Sequence, residues 1–201
     1  MRLVMATTNA HKRAEAQAIL APLGIEVLAP PRPLPEVDED APTFAGNAAK
    51  KARSGAAALG LPVLADDSGL VVDALGGEPG VRSARYAGEG AGDEANNALL
   101  VQRLAALGVV DPPARFVCCV ALALPDGTLL AQAEGHVEGV VRWPGRGAHG
   151  FGYDPLFHHP PSGCRLAEME PGAKNALSHR GAALRALAAI LRERGPASAG
   201  R

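Results

Sequence analysis

Two consecutive aspartates, Asp66 and Asp67, follow an apolar run from Leu61 to Ala65. Two carboxylates at the end of an apolar strand repel each other and lose solvation, unless a cation or hydrogen-bond donors compensate. Mg2+ is a natural guest, because it takes one or two carboxylates and leaves its other positions to water and phosphate oxygens. An acidic run over residues 36–40 precedes the pair, and Glu39 is a candidate second ligand beside Asp67. The alternative is that Asp66 caps a turn and that the acidic run is solvated surface.

A polar turn lies between a predicted strand and the start of a predicted helix. Its hydroxyls, amide and ammonium come from Thr7, Thr8, Asn9 and Lys12. Backbone N–H groups and the helix dipole at such a position favour anions, and these side chains add donors. The turn is therefore a candidate phosphate site. An ordinary capped loop stays equally open, because the segment has neither a glycine-rich phosphate loop nor a dinucleotide fingerprint.

A third candidate surface lies on a predicted helix that begins after Thr43. Asn47 and Lys51 are four residues apart, so their side chains project from the same helix face. Lys51 is thus a candidate phosphate ligand. The local pattern alone favours a different interpretation, in which Lys50 and Lys51 form the solvated side of an amphipathic helix.

The last candidate group lies near the C-terminus and begins with an aromatic residue flanked by glycines. Phe151 in the run Phe151-Gly152-Tyr153-Asp154 suits a loop on which a base can stack closely. Lys174, His179 and Arg180 follow, the last two at the start of a predicted helix. They offer donors to a purine carbonyl or to phosphate, although a lone histidine is more often structural.

Hydrophobic spacing and turn residues predict an alternation of strands and helices around these groups. Thr43 and Ser178 are predicted N-caps, and Pro125-Asp126-Gly127 predicts a hairpin turn. The pattern indicates an α/β domain with a mixed sheet. The predicted strands are 2–6, 25–28, 61–65, 115–124 and 129–140, the predicted helices are 12–23, 43–59, 93–107 and 179–194, and 143–154 is predicted to be loop.

Composition bounds the kind of protein. A chain of 201 residues, 47% of them hydrophobic, buries a sizeable core, so we expect one domain that can hold two lobes. The net charge of −1, with 20 basic and 21 acidic residues, argues against nucleic acid as a partner. Three cysteines without metal-ligand spacing fit a reducing cytoplasm. Nothing resembles an export signal or a run of 18 apolar residues, so we expect no membrane partner.

Six short motifs follow one another along the chain. Each alone is a weak indication of a protein family, but together they are specific. They are Thr7-Thr8-Asn9 with Lys12 and Glu15, Thr43-Phe44 with Asn47-Ala48 and Lys51-Ala52, Ala65 to Leu70, Gly80 with Ser83 to Gly88, Gly150 to Pro155, and Lys174-Asn175-Ala176 with Ser178 to Gly181. In this order and spacing the chain resembles the inosine/xanthosine triphosphate pyrophosphatases, from about Leu3 to Leu191.

The resemblance implies an elongated α/β fold, with a long mixed sheet, flanking helices, two lobes around a central substrate cleft, and a homodimer. It implies one nucleotide pyrophosphatase domain over residues 1–195 and a flexible C-terminal tail over 196–201. By position, Asp67 is the proton acceptor and a Mg2+ ligand, and Glu39 is the second metal carboxylate. The implied substrate contacts are Thr7, Thr8, Asn9, Lys12, Lys51, Ser68, Phe151, Gly152, Tyr153, Asp154, Lys174, His179 and Arg180.

The implied reaction is hydrolysis of ITP, dITP and XTP to the nucleoside monophosphate and pyrophosphate. Such an enzyme orients a water in line with the α-phosphorus and neutralises the leaving pyrophosphate, here with Mg2+, Lys12 and Lys51. Metal ligation lowers the basicity of a carboxylate, so Asp67 is either the general base or the group that orients a metal-held water. Two rivals stay open. A phosphotransferase would need a glycine-rich phosphate loop or an acceptor site, and a non-catalytic nucleotide sensor would not need the carboxylates.

Two positions depart from the pattern of that family. A glutamate usually precedes the Asn-Ala pair, where this chain has Gly46. The glutamate would complete a capping box begun by Thr43, and its replacement by glycine costs the helix about 1 kcal/mol. The segment from Asp38 to Pro42 also departs, which leaves Glu39 and Asp40 as alternative second metal ligands.

Overall fold

One mixed β-sheet of seven strands organises the protein. The structure is a computed structural model that describes residues 1–194. The strand order is β2-β1-β3-β4-β5-β6-β7, in which β1 runs parallel to both of its neighbours and the later pairs are antiparallel. The predicted α/β class with a long mixed sheet is therefore confirmed. The strands are β1 (Arg2–Met5), β2 (Glu26–Leu28), β3 (Val63–Val72), β4 (Pro113–Ala123), β5 (Leu129–Val141), β6 (Phe157–His159) and β7 (Cys164–Arg165).

Residues 1–194 form five α-helices, which flank this sheet. Their bounds are α1 (Ala10–Leu20), α2 (Phe44–Leu59), α3 (Asp93–Ala106), α4 (Pro171–Leu177) and α5 (His179–Glu193). The side chains of Thr43 and Ser178 accept hydrogen bonds from backbone N–H groups at the starts of α2 and α5, which confirms both predicted caps. No helix within residues 1–194 has the length and apolar composition needed to cross a bilayer.

The helices differ from the prediction at two places. Helix α1 begins two residues early, because Asn9 caps it by accepting from the N–H groups of His11 and Lys12. Helix α4 was not predicted: it is only seven residues long and is preceded by Glu170 and started by Pro171. The predicted tail at 196–201 lies outside the described residues.

Strand β3 is twice as long as the sequence predicts. The prediction that it ends at Asp66 and Asp67 is wrong, because all of Val63–Val72 pairs antiparallel with β4. Asp66 lies opposite Val120 and Asp67 lies opposite Cys119. The polar residues interrupt the apolar pattern but not the backbone ladder, which a partner strand supplies from elsewhere in the chain.

Two separate groups of buried side chains divide the sheet into two lobes. In the first lobe, Leu64 packs in a core with α1 and α5 on one face, and Val63 and Ala65 pack with α2 on the other. In the second lobe, Leu70 and Val72 pack with residues of α3, β5 and β6. Strand β3 thus runs through both lobes, and its polar segment from Asp66 to Gly69 lies between them. The two-lobed arrangement expected from the sequence is confirmed.

The long hairpin of β4 and β5 links the lobes. Its turn follows the predicted Pro-Asp-Gly sequence, with Gly127 at a φ of +85°, a conformation that glycine adopts without a steric penalty. The Asp126 carboxylate accepts a hydrogen bond from the N–H of Thr128 within the same turn. The predicted hairpin is confirmed.

Candidate active site

The aspartate pair lies where β1 ends and β3 continues. Strand β1 stops at Met5, and the N–H of Ala6 still donates to the carbonyl of Leu64 at 2.7 Å. The chain then leaves the sheet as the turn that was predicted to bind phosphate. Asp66 and Asp67 are therefore next to that turn, in the polar segment of β3 between the two cores. In α/β sheets, ligands bind at such carboxyl ends of parallel strands.

Strand geometry sends the two carboxylates to opposite faces of the sheet, since successive side chains alternate. Asp66 points to the face covered by α1 and α5, and Asp67 points to the face covered by α2. The expected mutual repulsion of the pair is thus reduced, and each carboxylate has its own cations.

Asp66 is the centre of a buried ion network. Its Oδ2 lies 3.0 Å from Nζ of Lys12 and 3.4 Å from Nη2 of Arg180. Burial alone would raise the pKa of Asp66, but Lys12, Arg180 and Lys51 hold that pKa well below its usual range. Asp66 is therefore a permanent anion that fixes two cations. Its Oδ1 is buried without a hydrogen-bond partner among residues 1–194.

Asp67 is held by two residues of α2. Its Oδ1 lies 2.8 Å from Nζ of Lys51, and its Oδ2 accepts from Nδ2 of Asn47 at 3.3 Å. Burial raises the pKa of Asp67, and the Lys51 ammonium opposes the rise without cancelling it. Burial alone would lower the pKa of Lys51, but the carboxylates of Asp67, Asp66 and Glu39 together raise it. Asp67 is thus the more basic of the two aspartates.

Glu39 is the second carboxylate beside Lys51. Its Oε1 lies 3.2 Å from the ammonium that also contacts Asp67, so the two carboxylates converge on one cationic point. Arg85 anchors Glu39 by donating to its carbonyl at 2.9 Å. Asp40 turns away to the exposed ammonium of Lys50. Of the two alternatives that the sequence left open, the geometry favours Glu39.

A magnesium ion fits this donor set. The oxygens of Glu39 and Asp67 already face one positive charge from two sides, and Mg2+ needs only one or two carboxylates. Among residues 1–194, no group of three or more histidine, cysteine or acidic side chains is arranged so that it could hold a metal ion.

The predicted phosphate turn is a capped helix start. Asn9 accepts from two N–H groups of α1, and Oγ1 of Thr7 accepts from the N–H of Asn9 at 3.1 Å. Thr8 is exposed and its side chain is available to a ligand. Lys12 projects from the first turn of α1 towards Asp66. The four predicted residues therefore lie together, at the end of β1.

A chain of alternating charges connects Arg180 to the C-terminal loop. Arg180 donates to Ser68 Oγ at 2.9 Å and forms an ion pair with Glu15. Glu15 also contacts Lys174 at 2.9 Å, and Lys174 contacts Asp154 at 2.6 Å. Several predicted substrate contacts thus form one network, which extends from Asp66 to the loop that precedes β6.

Phe151 and Gly152 lie at the surface of this loop. The ring of Phe151 has Nζ of Lys174 at 4.9 Å and the guanidinium carbon of Arg180 at 5.5 Å from its centroid. The N–H of Gly152 donates to Asp93 at 2.6 Å, at the start of α3. A half-buried aromatic ring beside two cations is suited to stack on a purine with polar edges.

Two of the predicted substrate contacts, Tyr153 and His179, have buried side chains. The Tyr153 hydroxyl donates to the carbonyl of Ser83 at 2.9 Å, inside the second lobe. The imidazole of His179 stacks on Phe116 at 4.7 Å between centroids. Burial, Arg180 and Lys174 lower the pKa of His179 well below its ordinary value, so the ring is neutral at pH 7.

A cavity of about 340 Å³ lies between α1 and the Phe151 loop. Its walls include His11 and Glu15 from α1, together with Phe151 and Lys174. This volume is within the usual range for small-molecule pockets. The cavity begins beside the cationic turn, so it joins the charged network to an aromatic wall.

Sequence reasoning did not select two residues that complete the network, Glu15 and Arg85. Glu15 is three residues after Lys12 on α1, and this helical spacing is the signal that places it on the same side. Arg85 belongs to a motif after Gly80, but no local feature of the sequence indicates its contact with Glu39.

Gly46, which stands where the family usually has a glutamate, forms one of the two hydrogen bonds of a capping box, since its N–H donates to Thr43. A β-carbon there would lie 2.8 Å from that of Ala41, so the glycine allows the acidic loop to approach α2.

A mixed α/β sheet with charged residues between two lobes defines the structural class. Within it, the chain belongs to the Ham1 family, whose family model matches residues 3–190. A dITP/XTP pyrophosphatase of Aromatoleum aromaticum is 54% identical over 192 residues, which cover 94% of this chain and 96% of the relative. A dITP/XTP pyrophosphatase of Geobacter sulfurreducens is 50% identical and covers 91% and 92%. The structure of a HAM1 protein from Coxiella burnetii superposes with a TM-score of 0.86 at 40% identity, over 96% of this chain and 99% of that one.

Proposed function

We propose that the protein is a nucleoside triphosphate pyrophosphatase that converts ITP, dITP and XTP to the nucleoside monophosphate and pyrophosphate. The observation that carries the proposal is that the carboxylates of Asp66 and Asp67 have different surroundings and different basicity. One carboxylate holds the cations beside the phosphate turn, and the other is the more basic group on the opposite face. The names of the relatives support the substrate class.

The triphosphate is placed by the N-terminus of α1. The hydroxyl of Thr8 and the ammonium of Lys12 lie there, and the helix dipole adds to their attraction for an anion. Lys51 lies on the other side of β3, within reach of the same anionic chain. These groups orient the α-phosphorus and neutralise the charge that develops on the departing pyrophosphate.

Asp67 orients and deprotonates the water that attacks the α-phosphorus. Asn47 and Lys51 fix its carboxylate, and its raised pKa makes it a better proton acceptor than an exposed aspartate. It orients the attacking water and takes its proton as the new P–O bond forms and pyrophosphate leaves.

Magnesium is part of the proposal, with Glu39 and Asp67 as its protein ligands. When bound, the ion supplies charge neutralisation and polarises the phosphoryl group. Lys51, which now lies between the two carboxylates, would then turn towards a phosphate oxygen. The shared contact of both carboxylates with one ammonium supports this assignment.

Base selection is assigned to the Phe151 loop. A purine that stacks on Phe151 has its polar edge near Lys174 and Arg180, which are hydrogen-bond donors. Inosine and xanthosine present a carbonyl at position 6, whereas adenosine presents an amino group. A pocket that presents donors to position 6 therefore disfavours ATP, because the amino group of adenine cannot accept their hydrogen bonds.

We also propose that the protein is a homodimer and that it is located in the cytoplasm. Sedimentation velocity of the purified protein at micromolar concentration tests the first, and fractionation of cells that carry a tagged chain tests the second. A single monomeric species would remove the dimer from the proposal without affecting the chemistry.

One experiment separates the proposed function from its rivals. The protein is incubated with ITP, XTP, ATP or GTP plus Mg2+, and pyrophosphate and orthophosphate are measured separately. We expect pyrophosphate from ITP and XTP, well in excess of that from ATP or GTP. Release of orthophosphate, or binding without turnover, would refute the proposal in favour of a phosphotransferase-like or sensing role.

A further inference from the structure

His11 contacts Phe151 across the mouth of the cleft. The two rings are stacked, with centroids 5.6 Å apart and planes 23° apart. This distance is within the range in which aromatic pairs attract each other. His11 comes from the first turn of α1 and Phe151 from the loop before β6, so the contact joins segments that are far apart in the chain.

His11 also belongs to the N-terminal turn of α1, next to the proposed phosphate site. The N–H of His11 donates to Oδ1 of Asn9 at 2.9 Å, and the next residue, Lys12, donates to the same oxygen. His11 is therefore part of the turn that is proposed to hold the triphosphate. Its imidazole projects away from that turn, over the cavity that Glu15 and Lys174 also line.

Two cations, Lys174 and Arg180, lie beside the ring of Phe151, and His11 is its aromatic partner. Gly150 and Gly152, the neighbours of Phe151 in the chain, both have positive φ angles, a backbone conformation that glycine adopts without a steric penalty and other residues rarely adopt. Asp154 accepts from the N–H of Phe151 at 2.9 Å, which fixes the main chain but not the side chain. The stack with His11 is thus a specific aromatic contact that orients the ring.

We propose that His11 is a positioning residue for nucleotide recognition, which holds Phe151 in place and couples the base-binding loop to the phosphate-binding turn. The inference rests on the proposed function, because it takes Phe151 as the surface on which the base stacks. Binding of the triphosphate orders the turn, the turn carries His11, and His11 presents Phe151 to the purine. Base and triphosphate are then recognised together rather than independently.

The test compares His11→Ala and His11→Phe with the unmodified protein. Without the stack, we expect KM for ITP to rise about 2- to 10-fold, the range that the energy of one aromatic pair allows, with kcat within about twofold. His11→Phe keeps an aromatic partner and should restore KM. Inorganic tripolyphosphate, which has no base, serves as a competitive inhibitor, and its inhibition constant should be equal in all three proteins. His136→Ala, which removes an exposed histidine of β5, is the matched control and should leave both constants unchanged.

Several outcomes would overturn the proposal. An unchanged KM for ITP in His11→Ala would show that the stack orients nothing. An equal loss of affinity for ITP and for tripolyphosphate would show that His11 acts only on the phosphate turn. If the unmodified protein released no pyrophosphate from ITP, the proposed function would fail, and calorimetric binding of IMP would then decide. In that case, binding weakened 2- to 10-fold by His11→Ala supports the positioning role, and equal binding overturns it.

Discussion

Asp66 and Asp67 are neighbours in the chain, but their carboxylates lie on opposite faces of β3 and contact different cations. Asp66 binds Lys12 and Arg180 on one face, and Asp67 binds Lys51 on the other. One face therefore holds a fixed ion network, and the other holds the more basic carboxylate, which is the proposed metal ligand. The two aspartates should accordingly fail in different ways when they are replaced.

Replacement of Asp67 by asparagine should abolish turnover and preserve the fold. The amide keeps the shape of the side chain and its contact with Asn47 but loses the proton acceptor and the metal ligand. General-base catalysis alone accounts for about 10²- to 10⁴-fold in rate, and the loss of the metal adds to this. Pyrophosphate release from ITP measures the effect, and a thermal melt followed by circular dichroism confirms folding. Activity above a tenth of the unmodified rate would remove Asp67 from the chemistry.

Glu39→Gln should raise the concentration of Mg2+ needed for half-maximal activity, because it removes one of the two carboxylates that are proposed to bind the ion. The neighbouring Asp40→Asn is the matched control, since that side chain forms an ion pair with the exposed Lys50. Activity is measured from micromolar to tens of millimolar Mg2+. If the Mg2+ requirement rose in Asp40→Asn alone, Asp40 rather than Glu39 would be the metal ligand. If neither variant changed the Mg2+ dependence, neither residue would be a ligand.

Local signals predicted much of the fold. The N-caps Thr43 and Ser178 and the Pro-Asp-Gly turn are decided by a few neighbouring residues, and all three were correctly placed. The length of β3 was not predictable in this way. Its polar residues Asp66 to Gly69 look like a strand end, and only the pairing with β4 and the cations from three helices make them a strand interior.

The site was predictable by residue type and not by exposure. Lys12, Asp67 and Glu39 carry the charges that phosphate and metal chemistry require, and the structure brings them to the same segment of β3. The burial of the side chains of Tyr153 and His179 depends on contacts with Ser83 and Phe116, which lie about 60 to 70 residues earlier in the chain. No local pattern reports such a contact, so the burial of these two side chains could not be predicted from the sequence.

Asp66→Asn should destabilise the fold, in contrast to the change at Asp67. It leaves two buried cations, Lys12 and Arg180, without their shared carboxylate, and breaking a buried ion pair costs about 3 to 5 kcal/mol. Urea denaturation at pH 7 measures the loss. Asp40→Asn, which removes only a surface ion pair with Lys50, should leave the free energy of unfolding nearly unchanged under the same conditions.

The effect of Asp66 should also depend on pH in the acidic range. Its pKa in the folded protein lies below that of the unfolded chain, so its contribution to stability is fully present above about pH 4 and is lost as the pH falls further. The gap in unfolding free energy between the unmodified protein and Asp66→Asn should therefore be constant from pH 7 to 5 and narrow below pH 4. A gap that widened on acidification would contradict the assignment of Asp66 as a permanent anion.

Gly135→Ala should move helix α5 and so disturb a site that it does not touch. Gly135 lies on β5 directly under α5, and a β-carbon there would lie 2.4 Å from the nitrogen of Ala183 and from the carbonyl oxygen of His179. Both are backbone atoms of one helix, so the helix must shift as a unit and carry Arg180 away from Asp66. Overpacking of this kind costs about 1 to 3 kcal/mol, and the displaced guanidinium should lower kcat/KM for ITP as well.

Gly172→Ala is the matched control for this change. Gly172 lies in α4 with open space where a β-carbon would stand, and alanine is favoured over glycine in a helix by up to about 1 kcal/mol. We expect its melting temperature to be unchanged or slightly higher, with normal turnover. If Gly135→Ala behaved like this control, α5 could separate from the sheet without cost, and the position of Arg180 would have to be maintained by its ion pair with Glu15 rather than by the packing of the helix on β5.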